Sequence, residues 1–161
     1  MKTGSFSELF NPGDSTIKII ENFSQINSVK QLLEKFSGKL VFVDIWATWC
    51  EPCVEEFKYS DSLYSYLEKR QIEMIYLSID AEDLEDKWRK LIKNNHLSGN
   101  HIRANKLLRD DLSILIWGAV DVYSIPHYLL FNKDGKLLDK NAPGPGLGAK
   151  HYQFIEHKPD K

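Results

Sequence analysis

The stretch Leu40-Val41-Phe42-Val43-Asp44-Ile45-Trp46 constrains the fold of this chain more than any other. A run of seven residues with a single charge has no polar face to turn to water. Such a run suits a strand covered on both sides, as in a parallel sheet packed between helices. It is followed by Ala47-Thr48-Trp49, then by Cys50-Glu51-Pro52-Cys53, then by apolar residues at helical spacing. The chain thus leaves a buried strand and enters a helix at a pair of cysteines.

The flanks continue the alternation. Thr16 to Ile20 reads as a short strand. Ser28 to Phe36 reads as a helix, with Ser28 and Gln31 spaced as a capping box and Val29, Leu32, Leu33 and Phe36 on one face. Gly38 supplies its stop. After the cysteines, Val54, Phe57, Tyr64 and Leu67 share a face with Leu63 beside them, which predicts a helix to about Arg70. Lys58 and the residues around it include no proline, so no proline kink is expected.

Ile72 to Ile79 is the next strand, and Leu84, Trp88, Leu91 and Ile92 mark a further helix. Asn94, Asn95 and Gly99 interrupt it, and Leu108, Leu112, Leu115 and Ile116 mark one more, ending near Gly118. Ile125-Pro126 precedes a strand from His127 to Phe131, a turn over Asn132 to Gly135, and a returning strand from Lys136 to Asp139. The breaker cluster Pro-Gly-Pro-Gly-Leu-Gly then follows Ala142. Strands alternating with helices predict an α/β fold with a central parallel or mixed sheet. A chain of 161 residues fits one domain. Residues 1–15, with the turn cluster Asn11-Pro12-Gly13-Asp14, read as an N-terminal arm, and 16–161 as a single domain.

Charge and composition narrow the function. A net charge of −2 offers no basic excess for nucleic acid. No apolar run reaches the length of a membrane span. Met1 to Asp14 lacks the apolar core of a signal peptide, so either the protein is cytoplasmic or a signal or anchor precedes its mature form. No phosphate-binding glycine loop, Ser-His-Asp set or paired catalytic carboxylates are present. Asn132 to Gly135 has the opening of a calcium loop without its later acids, and reads as a turn.

Only two cysteines occur, which excludes a disulfide framework and leaves a local pair. Cys50 falls just before the first helical turn, and Pro52 occupies that turn, where its missing N–H costs nothing. Unpaired N–H groups at a helix start favour thiolate over thiol. The thiolate is the form that attacks a disulfide, and the spacing lets Cys53 reach Cys50 to resolve the mixed disulfide. The competing use is half of a zinc site with His96 and His101. They lie more than forty residues past Cys53, outside zinc-finger spacing. No metal and no cofactor are therefore expected.

The phrase from Val43 to Cys53 resembles the active-site stretch of the thioredoxin superfamily, in its TlpA/ResA-like branch and the Bacteroidetes-type members. Ser124-Ile125-Pro126 is similar to that family's cis-proline landmark, and Phe131 to Lys136 to its hairpin. The resemblance covers residues 40 to 140. It implies a thioredoxin fold, a mixed sheet flanked by helices, with Asn95 to Gly118 as an insertion before the cis-proline strand. It implies catalytic roles for Cys50 and Cys53, for Asp44 as buried proton acceptor, and for Glu56 as a tuning acid. It implies a substrate-binding surface of Trp49, Ile125 and Pro126, with Trp46 in the core and His127 a structural surface residue. A terminal helix is normal for the fold. Here the tail from Gly144 predicts at most a brief turn, with Tyr152, Phe154 and Ile155 against the sheet.

The branch points to a monomeric reductase of protein disulfides in the periplasm or another extracytoplasmic space, served by an upstream thiol electron donor. Two alternatives stay open at this stage. One is a disulfide oxidant or isomerase; the other is a non-catalytic thioredoxin-like binding module.

Overall fold

A computed structural model describes residues 16–156 of the chain. The arm expected over residues 1–15 lies outside the described residues. Six strands form one sheet: β1 (Ile17–Ile19), β2 (Leu40–Trp46), β3 (Ile72–Ser78), β4 (Gly99–Arg103), β5 (His127–Phe131) and β6 (Leu137–Asp139). Their order across the sheet is β1-β4-β3-β2-β5-β6. The first four run parallel; β5 is antiparallel to β2, and β6 is antiparallel to β5. The helices are α1 (Val29–Glu34), α2 (Glu51–Glu56), α3 (Ser60–Lys69), α4 (Glu85–Asn94), α5 (Lys106–Trp117) and α6 (Ala149–Glu156).

β2 is the strand its composition demands. Val41 to Trp46 are buried without exception, Asp44 among them. β3 and β5 pair along its two edges, with Asp44 level with Tyr76 on one side and Tyr128 on the other. β2 and β5 bring the ends that matter to one side: β2 runs up to the cysteine loop, and β5 starts there at His127, opposite Ile45.

Local signals explain the helix ends. Ser28 caps α1 by accepting the Gln31 N–H at 3.0 Å. Gln31 reaches back to the Asn27 N–H at 2.8 Å, one residue before the usual capping-box partner. Asn105 caps α5 through the Leu108 N–H, and Gly118 ends it at φ 82°, a conformation that favours glycine. The Val29 N–H donates to Asp111 of α5, fastening the start of α1 to it.

Three expectations are corrected. The helix after the cysteines is not continuous to Arg70. A 3₁₀ turn at Phe57–Tyr59 separates α2 from α3, with no proline involved. Three residues at 3.0 rather than 3.6 per turn advance the downstream face by about 60°. That rotation puts Leu63 in the core and leaves Tyr64 half-buried, so the buried face is Cys53, Phe57, Ser60, Leu63 and Leu67.

The second correction is β4, which lies within the stretch read as an interruption and insertion. Gly-Asn-His-Ile-Arg has no apolar run, yet it pairs with both β1 and β3. Its polar side chains are buried by specific partners. The His101 ring stacks on Tyr76 at 5.0 Å and faces the Leu97 carbonyl; the Arg103 guanidinium lies beside Glu85 and over Phe23. The inserted segment is thus partly central sheet.

The third is α6, an eight-residue helix where a turn was expected. His151 and Ile155 are its buried residues, and the Tyr66 hydroxyl of α3 and Arg70 just past that helix reach Glu156 at its end. Arg70 and Glu156 are both partly exposed, so their pairing adds at most about 1 kcal/mol. Burial of its apolar face is what holds α6. No helix among the described residues is long and apolar enough to cross a membrane.

Candidate active site

After β2 the backbone turns sharply, the Cys50 N–H donating to the Ala47 carbonyl at 3.1 Å. A buried carboxylate holds that turn. Asp80, just past β3, accepts the Thr48 N–H at 3.0 and 3.1 Å and the Thr48 hydroxyl at 2.7 Å. The Ser78 hydroxyl donates to it at 2.5 Å, and its own N–H returns to Ser78 Oγ. Thr48, Ser78 and Asp80 are all buried. The loop before the cysteines is therefore clamped to the neighbouring strand end.

Asp80 and Thr48 are structural supports of the cysteine loop that sequence reasoning missed. The local signal was Ser78 and Asp80 two apart at a strand end, a spacing that suits a side-chain turn. Their partner Thr48 lies 32 residues away and carries no such mark. Asp80→Ala leaves a buried N–H and two hydroxyls without their acceptor. It is expected to destabilise the protein by roughly 3 kcal/mol or more in urea unfolding. A loss under about 1 kcal/mol would show that the clamp carries little.

Cys50 caps α2. Its Sγ accepts the Cys53 N–H at 3.2 Å, and Pro52 lies in the first turn. Cys50 and Cys53 form a disulfide, with Cα atoms 5.3 Å apart. Both are nearly buried, at 6% and 1% exposure, and Cys53 is the deeper. A backbone N–H on a sulfur at a helix start is a contact that favours thiolate over thiol wherever the sulfur is reduced.

Asp44 stands on β2, six residues before Cys50, and is 3% exposed. Burial, with the nearby negative charge of Glu56, holds its carboxyl well above the ordinary value of 3.8. Oδ1 is buried without a hydrogen-bond partner among the described residues. Glu56, at the end of α2, is half-buried and accepts the Gly146 N–H at 2.9 Å. That contact ties it to the Pro-Gly-Pro-Gly segment, a link sequence reasoning did not foresee.

The other predicted residues fall as follows. Trp49 projects from the rim at 58% exposure, whereas Trp46 is fully buried edge-on to Phe57. The Ile125-Pro126 bond is cis, and both residues are half-exposed at the start of β5, the end of the sheet that carries the cysteine loop. His127 faces the Lys140 carbonyl and the Trp117 ring. His101 sits in β4 against Tyr76, where burial pushes its imidazole down to about 4 despite the Leu97 carbonyl.

Comparison with known proteins agrees with this geometry. Residues 38–137, from the approach to β2 through the hairpin, match the family model described as thioredoxin-like. The thiol-disulfide oxidoreductase ResA of Bacillus cereus (strain ZK / E33L) is 31% identical over 108 residues, 67% of this chain. The chain spans little more than half, 57%, of that relative's length. A solution structure of a thiol:disulfide interchange protein from a Bacteroides species superposes with a TM-score of 0.59 at 27% identity. The match covers 77% of this chain and 75% of that one. The thioredoxin domain of a thiol-disulfide oxidoreductase from Bacteroides vulgatus gives the same TM-score at 24% identity, over 77% and 81% of the two chains. That second likeness speaks for the fold alone. With the model match spanning more than half of the chain, and the strand, cysteine turn and cis-proline in their expected order, this chain belongs to the thioredoxin-like family.

Proposed function

We propose that the protein is a thiol–disulfide oxidoreductase acting as a reductase of protein disulfides, with residues 16–161 as one thioredoxin-like unit. The observation that carries this reading is the cysteine pair itself: Cys50 at a helix cap with the Cys53 N–H on its sulfur, and Cys53 buried behind it.

In the cycle, the Cys50 thiolate attacks one sulfur of a substrate disulfide. That bond breaks, a mixed disulfide forms, and the departing substrate thiolate takes a proton from water. Cys53 then gives its proton to the Asp44 carboxylate and attacks Cys50 Sγ. The second substrate thiol leaves, and the Cys50–Cys53 disulfide forms. An upstream dithiol donor reverses this last change: it attacks Cys50, and Asp44 returns its proton to the departing Cys53 thiolate. In the disulfide form Asp44 is suited to hold that proton, because burial favours its neutral state.

Trp49, Ile125 and Pro126 are proposed to line the substrate surface, and Glu56 to tune the pair through its charge near Asp44. The family branch supports an extracytoplasmic, periplasmic setting and a monomer.

The test is reduction of insulin disulfides, together with titration of the pair in defined thiol–disulfide buffers. Catalysed reduction and a potential below roughly −260 mV are expected of a dedicated reductase. A potential above the glutathione range would instead assign an oxidant or isomerase. No catalysed exchange in either direction would leave a binding module.

A further inference from the structure

A row of titratable side chains crosses the sheet through Asp44. His101 of β4 is level with Tyr76 of β3, Tyr76 with Asp44, and Asp44 with Tyr128 of β5. Residues level with each other on paired strands point to the same face. Tyr128 is only 6% exposed, and its hydroxyl has no hydrogen-bond partner among the described residues. The same is true of Asp44 Oδ1 in the adjoining position. Two buried polar groups in adjacent places of one row, each lacking a partner, are complementary: one donates and the other accepts.

We propose that Tyr128 positions the Asp44 carboxyl through a hydrogen bond relayed by one water, and that the Pro143–Gly146 loop completes the arrangement by seating on Tyr128 and Glu56. The loop is built for this seat. It is anchored where the Ala142 N–H donates to the Tyr128 carbonyl at 3.0 Å, and the Pro143 carbonyl meets His151 Nδ1 at 2.7 Å. A Cβ on Gly144 would lie 2.4 Å from Tyr128 Cε2. A Cβ on Gly146 would lie 2.5 Å from Glu56 Oε1, while its N–H donates to Oε2. Two glycines, two residues apart, thus permit close approach to the two groups that flank the buried acid.

The catalytic meaning of this unit rests on the reading of Asp44 as the proton partner of Cys53. Burial and the charges of Asp44 and Glu56 hold the Tyr128 phenol far above its ordinary range. The phenol therefore keeps its proton and serves only as a donor to the carboxylate. It steadies the form of Asp44 that receives the Cys53 proton. The groups facing Asp44 are Tyr76 from β3, Tyr128 from β5 and Glu56 from α2. Asp61 of α3 and His101 of β4 lie behind Tyr76, and His151 of α6 lies beyond Phe42.

The test follows the Asp44 carboxyl directly, by carbon NMR of labelled protein over pH, in the wild type and in Tyr128→Phe. That change removes the hydroxyl and keeps the ring that stacks on Phe42. The Asp44 midpoint is expected to rise by about one unit, a tenfold gain in proton affinity. Gly146→Ala pushes Glu56 away and is expected to lower the midpoint, a sign that general loosening at Tyr128 does not predict. Should Tyr128→Phe fail to fold, Gly144→Ala, whose Cβ would displace the Tyr128 ring, carries the test through an upward shift of the midpoint. An unchanged midpoint in the folded variants overturns the proposal. If that happens while Asp44→Asn slows insulin reduction, the proton-acceptor reading stands without Tyr128. If the midpoints move while Asp44→Asn reduces insulin normally, the positioning stands and the proton role falls.

Discussion

Cys50→Ser is expected to bring insulin reduction down to the uncatalysed background, and Cys53→Ser to stop it at a different place. Serine at 50 removes the only sulfur in position to open a substrate disulfide. Its hydroxyl is far too weak an acid to ionise at a helix cap near neutral pH. Serine at 53 leaves the Cys50 thiolate intact, still capped by the backbone N–H of residue 53. That variant forms the mixed disulfide but cannot resolve it. A stoichiometric adduct should accumulate, visible by mass spectrometry and released by dithiothreitol. The asymmetry follows from burial, since Cys53 is at 1% exposure and Cys50 at 6%. Equal trapping by the two variants would mean that the roles of the cysteines are not divided as proposed. Retention of full turnover in Cys50→Ser would sink the mechanism.

The sulfur pair was legible because its marks are local: an apolar strand, a capping position, a proline in the first turn and a spacing of three. The strands β2, β3 and β5 were legible for the same reason, as each carries its own apolar run. β4 was not, because its stability comes from neighbours. His101 is acceptable in the core only because Tyr76 stacks on it and the Leu97 carbonyl meets its ring. Arg103 is acceptable only beside Glu85 and Phe23. No periodicity announces such a strand.

The break between α2 and α3 was hidden for another reason. A 3₁₀ turn changes the pitch without changing which residue types are present, and proline is not required for it. α6 was obscured by the breakers before it. Gly144 and Gly146 belong to close contacts with Tyr128 and Glu56, not to loss of order. In the site, Asp44 could be read as a lone charge in an apolar strand. Its setting between Tyr76 and Tyr128 needed the register of three strands, and the Asp80 clamp needed a contact across 32 residues.

Asp44→Asn is expected to make the disulfide form more stable, by an amount that grows with pH. The folded protein holds the Asp44 proton well above the ordinary value of 3.8, chiefly through burial and secondarily through Glu56. Between that value and the folded midpoint, the native state binds a proton that the unfolded state has released. Stability must then fall as pH rises through this window, by about 1.4 kcal/mol per unit. Below the ordinary value both states are protonated, and the burden is absent. Asparagine has similar size and no titrating proton, so it removes the slope while keeping a buried polar group of comparable cost. Wild type and variant should therefore match near pH 3 to 4 and diverge steadily above it, the variant ahead, until Asp44 ionises in the folded protein. Urea unfolding of the oxidised proteins from pH 4 to 8 measures this directly. Parallel stability curves would mean that Asp44 titrates normally in the fold, and with it would go the physical basis for using this carboxyl to exchange a proton with Cys53.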